Sequence, residues 1–223
     1  MKSAYIIFLI ILNLFELSAA VTGFYYQKKI KDTYWKFFPP FLLLIFIFEI
    51  TAEIFNLGFG MPDVNLALYK YIIIPGQFLF YFWLFYKYFE GLKVQKIPIY
   101  FALIYITALV FDHFQTFHTN PWFHDISYTI GAIMIILAIF QFIAVFIKSD
   151  ELIQFKTSMM FWVSVGLLLF FAGSLPYWLI RSYLVNFPEI GNGLVILQFC
   201  LNYIMYICFI ISFKWGRPKL QYI

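Results

Sequence analysis

The chain has 223 residues, of which 64% are hydrophobic, 24% aromatic and only 12% charged, and its formal net charge is +4. A soluble domain is nearer half apolar and about a quarter charged, so a globule of this size cannot hide so much apolar surface. The composition therefore excludes a water-soluble protein and favours a lipid bilayer as the solvent. It also excludes a nucleic-acid-binding protein, because the basic residues flank apolar runs and no soluble scaffold presents a basic face.

Seven apolar runs follow one another along the chain, most of them near the roughly 20 residues that a membrane-spanning helix needs. They are apolar on all faces, whereas barrel strands alternate over segments of about ten residues. We therefore predict an all-α, polytopic seven-helix bundle that forms a single domain over residues 1–223. The predicted spans are Ala4–Tyr26, Phe37–Phe59, Leu66–Tyr88, Ile97–Phe111, Ile126–Ile147, Ser158–Ile180 and Leu194–Phe213.

The first span needs its own argument, because residues 1–20 share features with a cleaved signal peptide. Lys2, an apolar run and Ser18-Ala19-Ala20 fit that pattern. The apolar stretch continues to Tyr26, however, and then meets a dense basic cluster that resists export. Glu16 would also be unusual inside the apolar part of a signal peptide. We expect the first helix to be retained, with cleavage as the alternative.

Basic residues predict the orientation of the bundle, because they concentrate in cytoplasmic connections. One side has only Lys2, Lys70 and Arg181. The connections on the other side contain twelve basic residues. This asymmetry predicts that the N-terminus lies outside and the C-terminus in the cytoplasm. We expect a multi-pass protein of a cell membrane, the bacterial inner membrane. The twelve residues are Lys28, Lys29, Lys31, Lys36, Lys87, Lys93, Lys96, Lys148, Lys156, Lys214, Arg217 and Lys219.

Polar side chains inside the spans are candidates for function, because an ionisable group in hydrocarbon costs at least about 2.5 kcal/mol. Glu49, Glu53 and Asn56 are spaced by four and seven residues, which predicts one shared face of the second helix. Asn13 and Glu16 share a face of the first helix at similar depth. These five residues indicate a polar interior in the middle to outer half of the bundle.

The last two helices extend this set. Gln198 and Asn202 lie four residues apart in the seventh helix, and Trp178 lies near the outer end of the sixth. With the five residues on the first two helices they form the predicted ligand-binding or proton-binding site. The alternative is that these groups, with Gln77 and Gln141, only bond helices together. Trp178 also fits an interfacial aromatic belt.

All three histidines fall in the predicted outer loop between helices four and five, as Asp112-His113, His118 and His124-Asp125. Their spacing matches no standard zinc signature, so we expect no metal and no cofactor. Asp112, His113 and His118 leave open a lipid-modifying enzyme that acts at the outer interface.

Two segments carry a resemblance to a known group of proteins. They are Phe161-Trp162-Val163-Ser164-Val165-Gly166-Leu167-Leu168-Leu169 in helix six and Asn202-Tyr203-Ile204-Met205-Tyr206 in helix seven. In these segments and in its topology the chain resembles short seven-helix membrane proteins of the Bacteroidetes type. The resemblance implies the membrane half of a sensory system that works with a separate histidine kinase.

We therefore expect a non-enzymatic receptor-like or accessory protein that binds a small or lipophilic ligand or a partner helix. Its expected partners are membrane lipid and a separate membrane or signalling protein. The first alternative is a proton-coupled transporter of small molecules in which Glu49 or Glu53 carries the proton. The second is the lipid-modifying enzyme, so an enzymatic function stays open.

Overall fold

The computed structural model describes residues 2–116, 125–149, 155–184 and 187–218. Within these ranges the chain is helical and forms no β-strand. Seven helical stretches are long and apolar enough to cross a bilayer, which confirms the prediction of a multi-pass, all-α membrane protein. These stretches are Ala4–Tyr25, Tyr34–Gly58, Pro62–Tyr88, Ile97–Phe114, Ile126–Phe146, Met159–Ile180 and Glu189–Trp215. The side of the membrane that each end faces stays a prediction.

The described ranges contain nine α-helices and three short segments of other helical types. A 3-10 turn covers Tyr34–Phe37, and π-helical segments cover Ile54–Gly58 and Tyr69–Ile73. The α-helices are α1 (Lys2–Tyr25), α2 (Gln27–Ile30), α3 (Phe38–Glu53), α4 (Pro62–Leu68), α5 (Ile74–Tyr88), α6 (Ile97–Thr116), α7 (Asp125–Phe146), α8 (Met159–Leu184) and α9 (Pro188–Trp215).

Several helices extend beyond the apolar runs that predicted them. The fourth span was predicted to end at Phe111, whereas α6 continues to Thr116. The seventh was predicted to begin at Leu194, whereas α9 begins at Pro188. Hydropathy falls as soon as polar residues appear, but backbone hydrogen bonding continues through them. Proline at the first helical position is also favourable, because its missing N–H would have no partner there.

Two π-helical segments interrupt the second and third spans, on either side of the short turn that joins them. The second segment, Tyr69–Ile73, ends just before Pro75. In a regular α-helix the ring of Pro75 would clash with the carbonyl four residues earlier, and its missing N–H would break a hydrogen bond. A wider helical turn at this point relieves the conflict.

The chain divides into two compact units by its internal contacts. Unit 1 comprises Met1–Leu44 and Ile139–Ile223, and unit 2 comprises Ile45–Ala138. In unit 1, α9 packs against α8 and α1, and in unit 2, α5 packs against α6. The single-domain organisation over residues 1–223 stays a prediction.

Small residues allow the helices of unit 1 to approach closely. A Cβ added to Gly166 of α8 would lie 2.9 Å from the Cβ of Cys208, and one added to Gly173 would lie 2.5 Å from Leu201. Both partners belong to α9, so the two glycines set the separation of α8 and α9. On the opposite side of α9, the Phe8 ring of α1 stacks on Phe199 at 5.5 Å.

A cluster of aromatic rings forms the core of unit 2, around one glycine. Phe78 of α5 lies 4.7 Å from the ring of Tyr105 in α6 and 5.5 Å from the ring of Tyr128 in α7. A Cβ at Gly131 of α7 would lie 2.8 Å from both Phe78 and Tyr105. Helix α7 can therefore contact these two rings closely only because the residue at this position, Gly131, has no side chain.

We expect Gly131→Ala to lower the unfolding temperature, because the new methyl group must displace two buried rings and overpacking costs typically about 1–3 kcal/mol. Gly76→Ala is the matched control, since a Cβ there meets nothing within 4 Å and alanine is the better helix former. Thermal unfolding of both variants in detergent, followed by tryptophan fluorescence, measures the difference. An unfolding temperature of Gly131→Ala at or above that of Gly76→Ala would contradict the described packing.

Candidate functional site

Glu16 occupies the protein-covered face of α1. Ile7, Leu14 and Val21 follow one another at seven-residue intervals, and each is more than half exposed. Leu12 and Glu16 lie away from that stripe and are buried, with Glu16 only 1% exposed. In a bilayer the exposed stripe faces lipid, so the carboxyl group of Glu16 is shielded from lipid and from bulk water alike.

The predicted residues of α1 and α9 lie on helices that pack together. Asn13 on α1, and Gln198 and Asn202 on α9, are half-buried. The Tyr203 hydroxyl of α9 donates a hydrogen bond of 2.8 Å to the carbonyl of Phe8 in α1. This contact, a polar bond between two spans, fixes how α9 sits on α1.

Part of the polar capacity of α9 is used within the helix. The Asn202 side chain donates from Nδ2 to the carbonyl of Gln198, one turn earlier, at 3.1 Å. This bond uses the NH2 group of the amide, and the carbonyl oxygen Oδ1 can still accept a hydrogen bond. Trp178 of α8 is buried, at 8% exposure, which differs from the exposed ring expected of a belt residue.

The three predicted residues of the second span lie in unit 2. Glu49 is buried in α3, at 6% exposure, while Glu53 and Asn56 are half-buried. Glu49 and Glu53 are one turn apart in α3 and share a face as predicted. Asn56 lies in the π-helical segment, where hydrogen bonds reach back five residues instead of four. A pocket that joins these residues to those of unit 1 stays a prediction.

The first π-helical segment is stabilised by a side chain from the next helix. Asn65 of α4 donates from Nδ2 to the carbonyl of Ala52 at 2.9 Å, two residues before the segment that begins at Ile54. A change from α to π bonding disturbs the regular pairing of carbonyls at this point, and the amide of Asn65 supplies a donor. Its role is therefore structural.

Asp112 was predicted to lie in an outer loop with His113, but both residues belong to α6. Asp112 is buried, at 4% exposure, and its Oδ2 accepts the main-chain N–H of Ser127 at 2.7 Å. Ser127 is the third residue of α7, and the first N–H groups of a helix have no partner within it. Asp112 thus caps α7 from a neighbouring helix.

We call Lys70, Tyr71, Asp112, His113 and Ser127, all in unit 2, the polar end cluster, because His113 directly follows the capping residue Asp112 in α6. The Tyr71 hydroxyl lies 3.3 Å from Nδ1 of His113. Lys70 is a buried residue, at 8% exposure. Its Nζ lies 5.4 Å from the centre of the Tyr71 ring. Lys70 and Tyr71 both belong to the second π-helical segment, a conformation that is frequent at functional sites.

The polar end cluster contains an ammonium group, a phenol, an imidazole and a carboxylate, all of which are groups that can exchange protons. Among the described residues no three His, Cys, Asp or Glu side chains converge as a metal site requires. His118 and His124 lie outside the described residues. The structure therefore locates Asp112 and His113, but not His118, of the trio proposed for a lipid-modifying enzyme.

We expect Asp112→Ala to destabilise the start of α7, because a buried N–H that loses its acceptor costs about 1–3 kcal/mol. Asp63→Ala is the matched control, since Asp63 is an exposed carboxylate in the first turn of α4, where its loss costs about 1 kcal/mol at most. Hydrogen exchange across residues 125–131 should accelerate in Asp112→Ala and stay unchanged in Asp63→Ala. Equal exchange in both variants would show that Asp112 does not hold the helix start.

Comparison of the chain with the profiles of known protein families, with curated proteins and with solved structures finds no match. The function therefore has to be inferred from the residues themselves, and above all from the polar residues that a helical membrane protein does not need.

Proposed function

We propose that this multi-pass membrane protein is a non-enzymatic, receptor-like or accessory protein. In this proposal a small or lipophilic ligand, or a partner helix, binds at the polar face of α1 and α9. The observation that carries the proposal is Glu16, a carboxyl group at 1% exposure in the middle of the span Ala4–Tyr25. Asn13 lies one turn before it on α1, and Gln198 and Asn202 belong to α9, which packs against α1.

The magnitudes favour a binding role for Glu16 over a purely structural one. Hydrogen bonds between membrane helices contribute about 0.6 kcal/mol on average. An ionisable group at the centre of a span costs about 2.5–3.5 kcal/mol. A glutamine would bond the same neighbours at a lower cost, so adhesion between helices does not account for a glutamate. Recognition of a ligand that needs a carboxyl group does account for it.

The proposal includes the expected setting of the protein: a bacterial inner membrane, an external N-terminus and a separate membrane or signalling partner. The charge asymmetry of the connections supports the orientation. The resemblance to seven-helix proteins of the Bacteroidetes type supports a partner such as a histidine kinase.

The first test is retention of a ligand by the purified full-length protein in lipid nanodiscs. We expect native mass spectrometry to show a small molecule or a specific lipid on the wild-type protein, and its loss in Glu16→Gln, which keeps the shape of the side chain. Glu189→Gln is the matched control, because Glu189 is exposed at the start of α9. An unloaded wild type, or equal retention by a folded Glu16→Gln variant, would remove Glu16 from any binding site.

A second candidate function, a proton-coupled transporter, is favoured by the second span. Glu49 is buried in the regular part of α3, and Glu53 ends that helix directly before a π-helical segment. Transporters commonly form substrate and ion sites where spanning helices are interrupted, and carboxylates within spans commonly act as proton relays. The two carboxyl groups would then take up and release the coupled proton.

We expect Glu49→Gln or Glu53→Gln to abolish substrate-dependent acidification of proteoliposomes if the protein is a transporter. The measurement uses a trapped pH dye and a panel of sugars, amino acids and organic acids. Glu90→Gln is the control, because Glu90 is an exposed partner of Lys87 at 3.5 Å. Acidification that survives both Glu49→Gln and Glu53→Gln would exclude the carboxyl groups from transport.

A further inference from the structure

Three segments of unit 1, residues 26–36, 155–158 and 213–218, meet where α9 ends. The main-chain N–H of Arg217 donates to the carbonyl of Thr157. Lys29 approaches the same end, and its Nζ donates to the carbonyls of Phe213 at 3.3 Å and Lys214 at 3.4 Å. Chain positions that are 184 residues apart are thereby fixed together. We call this region the basic end of unit 1.

Lys29 has a structural role at the basic end. The last carbonyls of a helix have no partner within it and carry a partial negative charge, and Lys29 supplies both hydrogen bonds and an opposite charge. Burial, and then the nearby charge of Arg217, lower the pKa of Lys29. Lys29 contacts the carbonyl of Lys214, three residues before Arg217, so cations of distant segments lie near one another at this end of α9.

The other cations of the basic end are exposed. None of them forms an ion pair with a carboxylate within the described part of the chain, and Asp32 is the sole acidic residue in the three segments. The basic end thus gathers seven cations, Lys29 included, against one carboxylate. The six exposed cations are Lys28, Lys31, Lys36, Lys156, Lys214 and Arg217.

Membrane orientation alone does not require this convergence. The positive-inside preference depends on the number of basic residues within about 15–20 residues of the ends of spans, and dispersed cations would satisfy it equally. Bringing three like-charged segments together is unfavourable unless an anion lies between or above them.

The basic end adjoins the ends of three candidate spans, where a bilayer has its headgroups. The spans Ala4–Tyr25 and Glu189–Trp215 end within a few residues of it, and Met159–Ile180 begins there. The terminal rings Tyr25 and Trp215 are 79% and 57% exposed. Tyrosine and tryptophan prefer the membrane interface, so these rings would place the cations beside phosphate groups.

We propose that the basic end of unit 1 binds the phosphate-bearing headgroup of an anionic phospholipid. The ammonium groups of Lys28, Lys31 and Lys214 and the guanidinium group of Arg217 would contact its phosphate oxygens, as clusters of four to eight cations beside a span commonly do. This site is separate from the one proposed around Glu16 and does not depend on it.

The test uses full-length protein in an uncharged detergent, titrated with phosphatidylglycerol or with phosphatidylcholine, and native mass spectrometry of the bound lipid. We expect the wild type to prefer phosphatidylglycerol. Lys214→Gln/Arg217→Gln should weaken phosphatidylglycerol binding roughly thirty-fold, since each cation near anionic lipid contributes about 1 kcal/mol. Phosphatidylcholine binding should not change.

Lys93→Gln/Lys96→Gln is the matched control, because it removes two exposed cations from unit 2 and should leave the lipid preference intact. Lys28→Gln/Lys31→Gln tests the same site from another segment if the first variant does not fold. Equal binding of the two lipids by the wild type would overturn the proposal, as would equal losses in the unit 1 and unit 2 variants. Displacement of the lipid by inorganic phosphate at equal concentration would show a site for a soluble anion instead.

Discussion

The hydrocarbon of a bilayer contains no water, so each main-chain N–H and C=O within it needs a partner inside the protein. Regular α-helix meets this need along most of every span. The difficulty lies where a helix changes type, begins or ends, and there the chain places a polar side chain from another segment. Asn65 serves the change to π-helix, Asp112 the start of α7 and Lys29 the end of α9. These three contacts connect elements that hydrophobic packing alone would leave free to slide.

The same requirement separates the polar residues of the spans into two groups. Thr22 and Thr51 bond the carbonyl four residues earlier, which satisfies the hydroxyl group within its own helix. Glu16 and Glu49, in contrast, lie in regular parts of α1 and α3, where the backbone already bonds to itself. Backbone pairing therefore gives no reason for a buried carboxyl group at either position, and this is why both glutamates enter the proposed functions.

Hydropathy was sufficient to predict seven spans and to find the buried glutamates, because both depend on local composition. It could not predict that α6 continues through Asp112 and His113. The end of a helix is set by where backbone hydrogen bonding stops, and polar side chains do not stop it. Hydropathy missed the contact of Tyr71 with His113 for another reason: 42 residues separate them. A clue to that cluster was present in Lys70, a rare cation on the poorly charged side of the predicted topology.

The basic residues show most clearly what position along the chain cannot reveal. In the sequence Lys28 and Lys29 are equivalent neighbours in a basic run, and both count once toward orientation. In the structure Lys29 turns to the end of α9 and becomes part of the fold, while Lys28 stays exposed. Once Lys29 has neutralised that helix end, the remaining six cations share a single carboxylate, that of Asp32, within the three described segments of the basic end. The membrane, which the composition of the chain already requires, is a source of further anions.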